Sequence, residues 1–228
     1  MLVLGLSVGL AAGCGGGRKS VRLELTAADL AAHRHVLVVG AGPALVKLEA
    51  GLAGKVAVEG LNRIVEADRD SDFASSLQQL GLVPRETALE EGGRVLEKLG
   101  WQVSLCDRRL ESPGKKYKKF KPPAWVCQQA AAAGADSALV LHQLLVIDVG
   151  ATESLARSKL RAYLVACPEG RMLWRDRDGR KLSLNRFILQ AAQKVVSKEK
   201  KTLEDFLGAL RALVQDACRE VLTGGMSR

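Results

Sequence analysis

Apolar residues recur at helical spacing in two segments of the chain. In Thr87–Leu99 the apolar positions lie three and four residues apart, and Gly100 follows as a helix stop. The second segment begins after Thr202, a residue type that caps helix N-termini, and extends to Leu222 before Gly224. Both segments are therefore predicted to be amphipathic helices. Shorter segments of helical composition are Ala44–Ala53, Ala124–Ala133 and Leu184–Val196.

Strand-like runs alternate with these helices. The longest is Ser137–Val149, and Lys159–Ala166 and Arg171–Trp174 are predicted to form a hairpin around the turn Cys167–Gly170. The other predicted strands are His35–Val39, Lys55–Val58 and Trp101–Leu105. Predicted loops or turns are Ser112–Pro123 and Asp176–Gly179, and Arg63–Ser76 is predicted to be a loop with a short helical piece. Strands separated by helices pair in parallel, whereas a hairpin is antiparallel. The pattern therefore predicts an α/β fold, a single domain with a mixed β-sheet packed by helices.

Composition agrees with a folded domain that meets anionic partners. The 228 residues are 47% apolar and 26% charged, which excludes a mostly disordered chain. We predict the mixed α/β domain over 55–224, with 21–54 as an N-terminal extension or a first strand-helix unit. The net charge of +9 favours lipid headgroups, acidic cell-wall polymers or nucleic acid as partners.

The N-terminus has the pattern of an export signal. Met1–Gly13 carries no charged side chain, is too short to span a membrane, and ends in small residues before Cys14. The segment Leu10–Cys14 resembles a bacterial lipoprotein signal. That resemblance implies a signal peptide over 1–13, a lipid on the Cys14 sulfur and a Gly-rich tether over 14–20. Gly15 after the anchor implies the outer membrane, facing the periplasm.

Four short motifs carry a resemblance in the body of the chain. They are Val56–Val58, Leu96–Val103, Gly134–Val140 and Gly170–Trp174. Their order resembles the small domain shared by the TolB amino-terminal domain, the curli-secretion lipoprotein CsgG and the LpoB-type lipoproteins. The resemblance covers about Lys55–Leu222. It implies a non-enzymatic protein that presents its sheet edge or helices to a protein partner.

A cluster of lysines lies between two predicted elements, and two aromatic residues interleave it. Its members are Lys115, Lys116, Lys118, Lys119 and Lys121. This composition suits an anionic membrane surface or a cell-wall polymer, and it also suits single-stranded nucleic acid. A solvated loop is the alternative without a ligand. Nucleic acid is the least accessible of these ligands to an envelope lipoprotein.

A glycine-rich turn supplies an alternative function. His35–Val39 is followed by Gly40 and Gly42, as in the strand and turn that open a dinucleotide-binding fold. Glu59 lies near the position of the ribose-binding carboxylate, whereas Leu45 occupies the third glycine position. The alternative is therefore a dinucleotide- or flavin-binding redox protein.

Other chemistry has little support in the sequence. His33 and His35 lack an identifiable third ligand, and Asp68–Asp72 lacks the glycine and glutamate that a calcium loop needs. No motif for a nucleophilic serine or cysteine surrounds any candidate. Apart from Cys14, the cysteines are Cys106, Cys127, Cys167 and Cys218, which allow three pairings. The sequence thus predicts a non-enzymatic envelope lipoprotein without cofactor or metal, which binds another envelope protein.

Overall fold

The computed structural model describes residues 25–41, 45–50, 70–110, 120–149, 154–183 and 200–226. The strands are β1 His35–Ala41, β2 Leu45–Ala50, β3 Gln102–Leu110, β4 Ser137–Val149, β5 Ser154–Ala166 and β6 Arg171–Ser183. The helices are α1 Ala27–Ala32, α2 Asp70–Gln79, α3 Pro84–Lys98, α4 Ala124–Ala132 and α5 Lys200–Met226.

The strands form one mixed sheet, as the sequence predicts. Their order is β3-β1-β4-β5-β6, and β2 lies beside the outer part of β4. Strand β1 pairs in parallel with β3 and β4, whereas β4-β5 and β5-β6 are antiparallel. Strand β1 therefore lies inside the sheet, although it precedes the domain boundary predicted at Lys55.

Strands β1 and β2 share one position in the sheet. Gly40 pairs with Leu141 of β4, and Leu45 pairs with Leu144 of the same strand. The helix predicted over Ala44–Ala53 is therefore wrong for its described part. Pairing with β4 decides the conformation of this segment, because tertiary contacts readily override weak helix propensity.

Helices cover the two faces of the sheet, and alternate residues of β1 enter two separate cores. Val36 and Val38 belong to the core beneath α3 and α5, whereas Leu37 and Val39 belong to the core beneath α4. We call these faces the α5 side and the α4 side. Buried residues of the α5 side include Leu96, Leu139, Leu141, Leu160, Leu164, Trp174, Val214 and Leu222. Those of the α4 side include Cys106, Val126, Cys127, Ala130, Ala138, Val140, Tyr163 and Val165.

The two sides differ in the length of their helical cover. Helix α5 has 27 residues and a length of about 40 Å, while the 13 residues of β5 extend over about 43 Å. Helix α4 has nine residues and a length of about 14 Å. A single helix can therefore cover β5 from end to end on the α5 side, but only a part of it on the α4 side.

The last helix extends beyond its predicted end. Gly224 and Gly225 both lie inside α5, which reaches Met226. A Cβ atom on Gly225 would lie 2.1 Å from Cζ2 of Trp174, and the Met226 carbonyl accepts a hydrogen bond from the Trp101 indole. These contacts hold the final turn in place. Thr202 also lies inside the helix, so its predicted role as N-cap is wrong.

Several other predicted elements match the structure. Helix α3 includes most of Thr87–Leu99 but begins at Pro84, whose fixed φ angle suits a first helical turn. The predicted strand Ser137–Val149 coincides with β4, and the hairpin is formed by β5 and β6. Asp176–Gly179 continues β6 because it pairs with β5, so the turn predicted there is wrong. The predicted strand Lys55–Val58 and helix Leu184–Val196 lie outside the described residues.

The acidic segment is also more regular than predicted. Asp70 and Asp72 lie in the first turn of α2, within the segment predicted to be mainly loop. A helical backbone cannot wrap around a calcium ion, so this finding agrees with the rejection of a calcium loop.

Candidate functional site

The outer half of the α4 side carries a cluster of basic residues. Along β5 the inward positions Ala156, Ser158, Leu160 and Ala162 are fully buried on the α5 side. The positions between them are Arg157, Lys159 and Arg161, and these side chains are half-buried. Strict alternation places the three cations on the α4 side of the sheet.

Strand pairing brings two further nitrogen-bearing side chains to this patch. His142 of β4 pairs with Arg161, and Arg175 of β6 pairs with Tyr163, the next outward residue of β5. Paired residues lie on one face of a sheet. We define the basic face as His142, Arg157, Lys159, Arg161 and Arg175.

His142 is buried within the basic face and uncharged at neutral pH. Its side chain is almost inaccessible, and burial, followed by the charge of Arg161, lowers its pKa to about 4. The imidazole therefore contributes hydrogen-bonding groups to the centre of the patch, while the positive charge comes from the arginines and the lysine.

The composition of the β5-β6 hairpin explains the excess of positive charge. Residues 154–183 contain eight Lys or Arg and three Asp or Glu, a net charge of +5. Net charge of this size on one hairpin creates a local potential that attracts anions.

The inner half of the same face is covered by α4 and by the segment that precedes it. The Phe120 ring packs against the Tyr163 ring with centroids 4.8 Å apart, next to the basic face. Lys121 follows Phe120 and is exposed. The other lysines of the predicted cluster, Lys115 to Lys119, lie outside the described residues, as does Cys14.

A disulfide joins helix α4 to the β5-β6 turn. Cys127 and Cys167 are bonded across 40 residues of chain, whereas Cys106 and Cys218 are buried free thiols. The three pairings counted from the sequence assume that all four cysteines form disulfides. The structure instead has one disulfide and two free cysteines among these four. The bond fixes the inner cover of the α4 side to the hairpin that carries the basic face.

The glycine-rich turn does not have the context of a dinucleotide site. A strand, β2, follows the turn where that fold requires a helix N-terminus. A Cβ atom on Gly40 would lie 2.9 Å from the Arg85 side chain, so Gly40 makes room for the protein's own arginine. The redox alternative through Gly40 and Gly42 is therefore wrong in its structural premise. Glu59 lies outside the described residues.

His35 belongs to a hydrogen-bond chain at the amino ends of the parallel strands. Its Nδ1 lies 3.0 Å from the Gly134 carbonyl, and its Nε2 lies 2.9 Å from the Ser104 hydroxyl. A carbonyl only accepts, so Nδ1 donates to Gly134, and Nε2 shares a hydrogen bond with the Ser104 hydroxyl. Ligand sites in open α/β sheets lie at the carboxyl ends of the strands, not at the amino ends. We therefore interpret these hydrogen bonds of His35 as structural, since they link β1 to β3 and to the loop before β4. His33 Nδ1 lies 3.6 Å from Asp136 Oδ1. His33 and His35 do not belong to a group of metal ligands among the described residues.

The described residues contain neither a cluster of metal ligands nor a membrane-spanning helix. They contain no group of three or more His, Cys, Asp or Glu side chains that could hold a metal ion. Within the same part of the chain, no helix is long and apolar enough to cross a membrane.

The basic face was not predicted from the sequence. Its signal was present, because Arg157, Lys159 and Arg161 alternate with four small or apolar residues at a period of two. That alternation predicts a strand with one buried face. The strand predicted in this region begins only at Lys159 and therefore leaves out Arg157. The contributions of His142 and Arg175 depend on strand register, which the sequence leaves open.

Comparison with known proteins finds distant likenesses to solved structures. No family model and no curated protein matches the chain. The solved PelC dodecamer from Paraburkholderia phytofirmans is 10% identical, covering 84% of this chain and 87% of that chain with a TM-score of 0.40. Lipoprotein GNA1162 from Neisseria meningitidis is 14% identical, covering 72% and 99% with a TM-score of 0.31. The LpoB C-terminal domain from Salmonella enterica is 14% identical, covering 65% and 83% with a TM-score of 0.21. At these TM-scores the likeness assigns neither family nor function to the chain.

Proposed function

We propose that this protein is an exported lipoprotein, anchored through Cys14, whose α/β domain binds another component of the bacterial envelope without catalysing a reaction. The anchor would place the domain at the outer membrane, facing the periplasm. The observation that carries the proposal is the Cys127–Cys167 disulfide.

The disulfide supports export independently of the N-terminal pattern. Structural disulfides persist in oxidising compartments such as the bacterial periplasm and are rare in the cytosol. The lipoprotein-like segment Leu10–Cys14 points to the same compartment from the other end of the chain. Two unrelated features thus favour one location.

The charge distribution supports a binding role. The basic face adjoins the segment that carries the exposed Lys121, because Phe120 packs against Tyr163. Such a surface suits contact with an acidic envelope component. We propose the remaining lysines of the cluster, Lys115, Lys116, Lys118 and Lys119, as an extension of that contact.

The N-terminal peptide of the protein from membrane-fractionated cells tests the anchor. We expect a peptide that begins at Cys14 with the added mass of lipid, and we expect a Cys14→Ala variant to stay unprocessed. An unmodified peptide beginning at Met1, recovered from the soluble fraction, would refute the proposal.

Differential alkylation of the same material tests the compartment. Cys127 and Cys167 should react with a thiol reagent only after denaturation and reduction, whereas Cys106 and Cys218 should react after denaturation alone. Reaction of all four without reduction would show that the bond is not formed in the cell.

A further inference from the structure

We infer that the outer edge of β3 is a docking surface for an extended, basic segment of a partner protein, which adds a strand to the sheet beside residues 102–106. These five residues pair regularly with β1, ahead of the irregularity between Cys106 and Leu110. The inference deepens the proposed function by naming a surface and the chemistry of its partner. It rests on that function for the compartment in which the partner occurs.

Strand β3 lies at one end of the sheet, with β1 as its neighbour among the described strands. The Gln102 N–H donates to the Arg34 carbonyl, directly before β1. Because successive residues of a strand direct their backbone groups to opposite sides, the N–H and C=O groups of Val103 and Leu105 point away from β1. Outward backbone groups of an edge strand are a template for the addition of another strand.

An exposed leucine lies on this edge in an ordered position. Leu105 is 51% exposed, and it pairs with Val38 of the α5-side core. A Cβ atom on Gly93 of α3 would lie 3.1 Å from Cδ2 of Leu105 and 3.6 Å from Cγ1 of Val103. Helix α3 thus holds one side of Leu105, and the other side is open to an added strand. Cross-strand apolar pairs stabilise such an addition.

Acidic residues of α3 lie along the same edge. Glu86, Glu90 and Glu97 are exposed, and helical spacing places all three on one stripe with Gly93. Gly93 is the residue that meets β3, so the stripe lies above the edge of that strand. Glu86 is bound by Arg85 at 3.0 Å. We therefore assign the contact with a partner to Glu90 and Glu97.

The spacing of these two acids defines the partner segment. Glu90 and Glu97 are seven residues apart, which is about 10 Å along a helix. Residues i and i+4 of a strand share a face and lie about 13 Å apart, a difference that lysine side chains can bridge. A segment with cations at i and i+4 and an apolar residue at i+2 can therefore contact both acids and Leu105. Arg94, the cation between the two acids, is bound to Glu91.

Charge favours a basic partner over a second copy of this chain. Antiparallel pairing of β3 with β3 of a second copy would keep like faces of the two sheets together. It would therefore bring Glu90 and Glu97 of both copies to the same side of the junction. Like charges across neighbouring strands are destabilising, whereas opposite charges are favourable.

Fluorescence anisotropy of a labelled peptide with the full chain carrying Cys14→Ala tests the inference. The probe is Lys-Thr-Val-Thr-Lys-Thr with blocked ends. We expect saturable binding, and we expect affinity to fall by about tenfold or more when both lysines are replaced by glutamate. Equal binding of the two peptides would overturn the inference.

Methylated peptides test strand addition on the unchanged protein. One peptide carries N-methyl groups on the lysine and valine amides, and the other carries them on the threonine amides. In an added strand, one of these sets faces β3 and the other faces away. We expect one peptide to lose binding and the other to keep it. Equal behaviour of the two would overturn the inference, because backbone pairing would then not hold the peptide.

Two leucine variants locate the apolar contact. Leu105→Lys should weaken binding of the lysine peptide by about fivefold or more, since it removes the apolar contact and adds a like charge. Leu80→Lys is the matched control, because Leu80 is the other exposed large apolar residue of the described part of the chain. The control should change affinity by less than about twofold. Equal effects of the two would overturn the inference.

Two pairs of acid variants locate the charge contact. The test pair is Glu90→Gln with Glu97→Gln, and the control pair is Glu204→Gln with Asp205→Asn, which are exposed residues of α5. Affinity should fall by about threefold or more in the test pair and by less than about twofold in the control. Equal losses would show unspecific attraction and overturn the inference. Thermal melting of every variant must match that of the parent chain before affinities are compared.

Sedimentation velocity without peptide decides whether a second copy occupies the edge. We expect a monomer for the parent chain with Cys14→Ala. A dimer that Leu105→Lys dissociates would overturn the inference in favour of self-association. The peptide experiments do not involve Cys14 or export, so their failure leaves the test of the anchor unaffected, and the converse also holds.

Discussion

The two faces of strands β4, β5 and β6 are covered in different ways. On the α5 side a helix about as long as β5 lies over them, and Leu160, Leu164 and Trp174 are fully buried. On the α4 side a helix about one third as long covers the inner half, and the outer half carries Arg157, Lys159 and Arg161. The two sides thus differ in composition, because the α5 side buries apolar residues of β5, whereas the α4 side carries half-buried cations beside the buried His142.

Truncation of adjacent β5 residues gives the largest expected difference between the two sides. Leu160→Ala should lower the free energy of unfolding by about 3–4 kcal/mol, because it removes a fully buried side chain and leaves a cavity. Lys159→Ala, one position away on the α4 side, should cost less than about 1 kcal/mol. Urea denaturation of both variants measures the difference, and similar costs would refute the two-sided assignment.

Loss of the disulfide tests the inner cover of the α4 side. Replacing both Cys127 and Cys167 with Ser should destabilise the protein by about 3 kcal/mol, since the bond closes a loop of 40 residues. The matched control carries Cys106→Ser and Cys218→Ser. Its free energy of unfolding is compared with that of the parent chain, both measured under reducing conditions. Reduction of the parent chain should reproduce the loss seen in the Cys127 and Cys167 variant. A parent chain whose unfolding is indifferent to reductant would contradict this.

Close packing at the end of α5 sharpens the picture of the other side. Gly225→Ala should cost about 2–3 kcal/mol, because the new methyl group would overlap the rigid Trp174 ring. Gly224→Ala is the control, since nothing lies within 4 Å of its Cβ position. It should be neutral or stabilising by up to about 1 kcal/mol. Equal effects of the two substitutions would mean that α5 does not pack closely against Trp174.

The pH dependence of stability tests the buried imidazole of the basic face. The pKa of His142 falls from 6.5 to about 4 on folding, so the unfolded chain binds more protons between these values. Stability should therefore decrease as pH falls from about 6.5 to 4, by about 2 kcal/mol from this residue. The measurement is the difference between parent chain and His142→Gln across that range, which cancels the titration of the carboxylates. Parallel stability curves would show that His142 is not shifted.

The fold class was predictable from the sequence because local signals agreed with the tertiary structure over most of the chain. Gly100 and Gly134 both have positive φ angles and end helices where expected. Strand β4 was found with its observed bounds because thirteen residues of mostly apolar, strand-forming type stand together. Ala44–Ala53 failed because its helical composition is weaker than the pairing of 45–50 with β4.

The site was less predictable than the fold. Lys121 follows directly from the sequence, but its place beside the β5-β6 hairpin depends on the contact of Phe120 with Tyr163, 43 positions later. His142 and Arg161 meet only through the register of β4 and β5. Neither the register nor the partner of a disulfide is encoded in local pattern, so the basic face emerges only from long-range structure.

The junction of β1 and β2 limits how the length of this chain can change. Between the pairs Gly40–Leu141 and Leu45–Leu144, the first chain advances five residues while β4 advances three. The excess is two, an even number, so β2 keeps the same phase relative to the pleat of β4 as β1 has. Inserting or deleting two residues at 42–44 preserves that parity. A change of one residue would break that parity, so length variation in this segment is expected in steps of two.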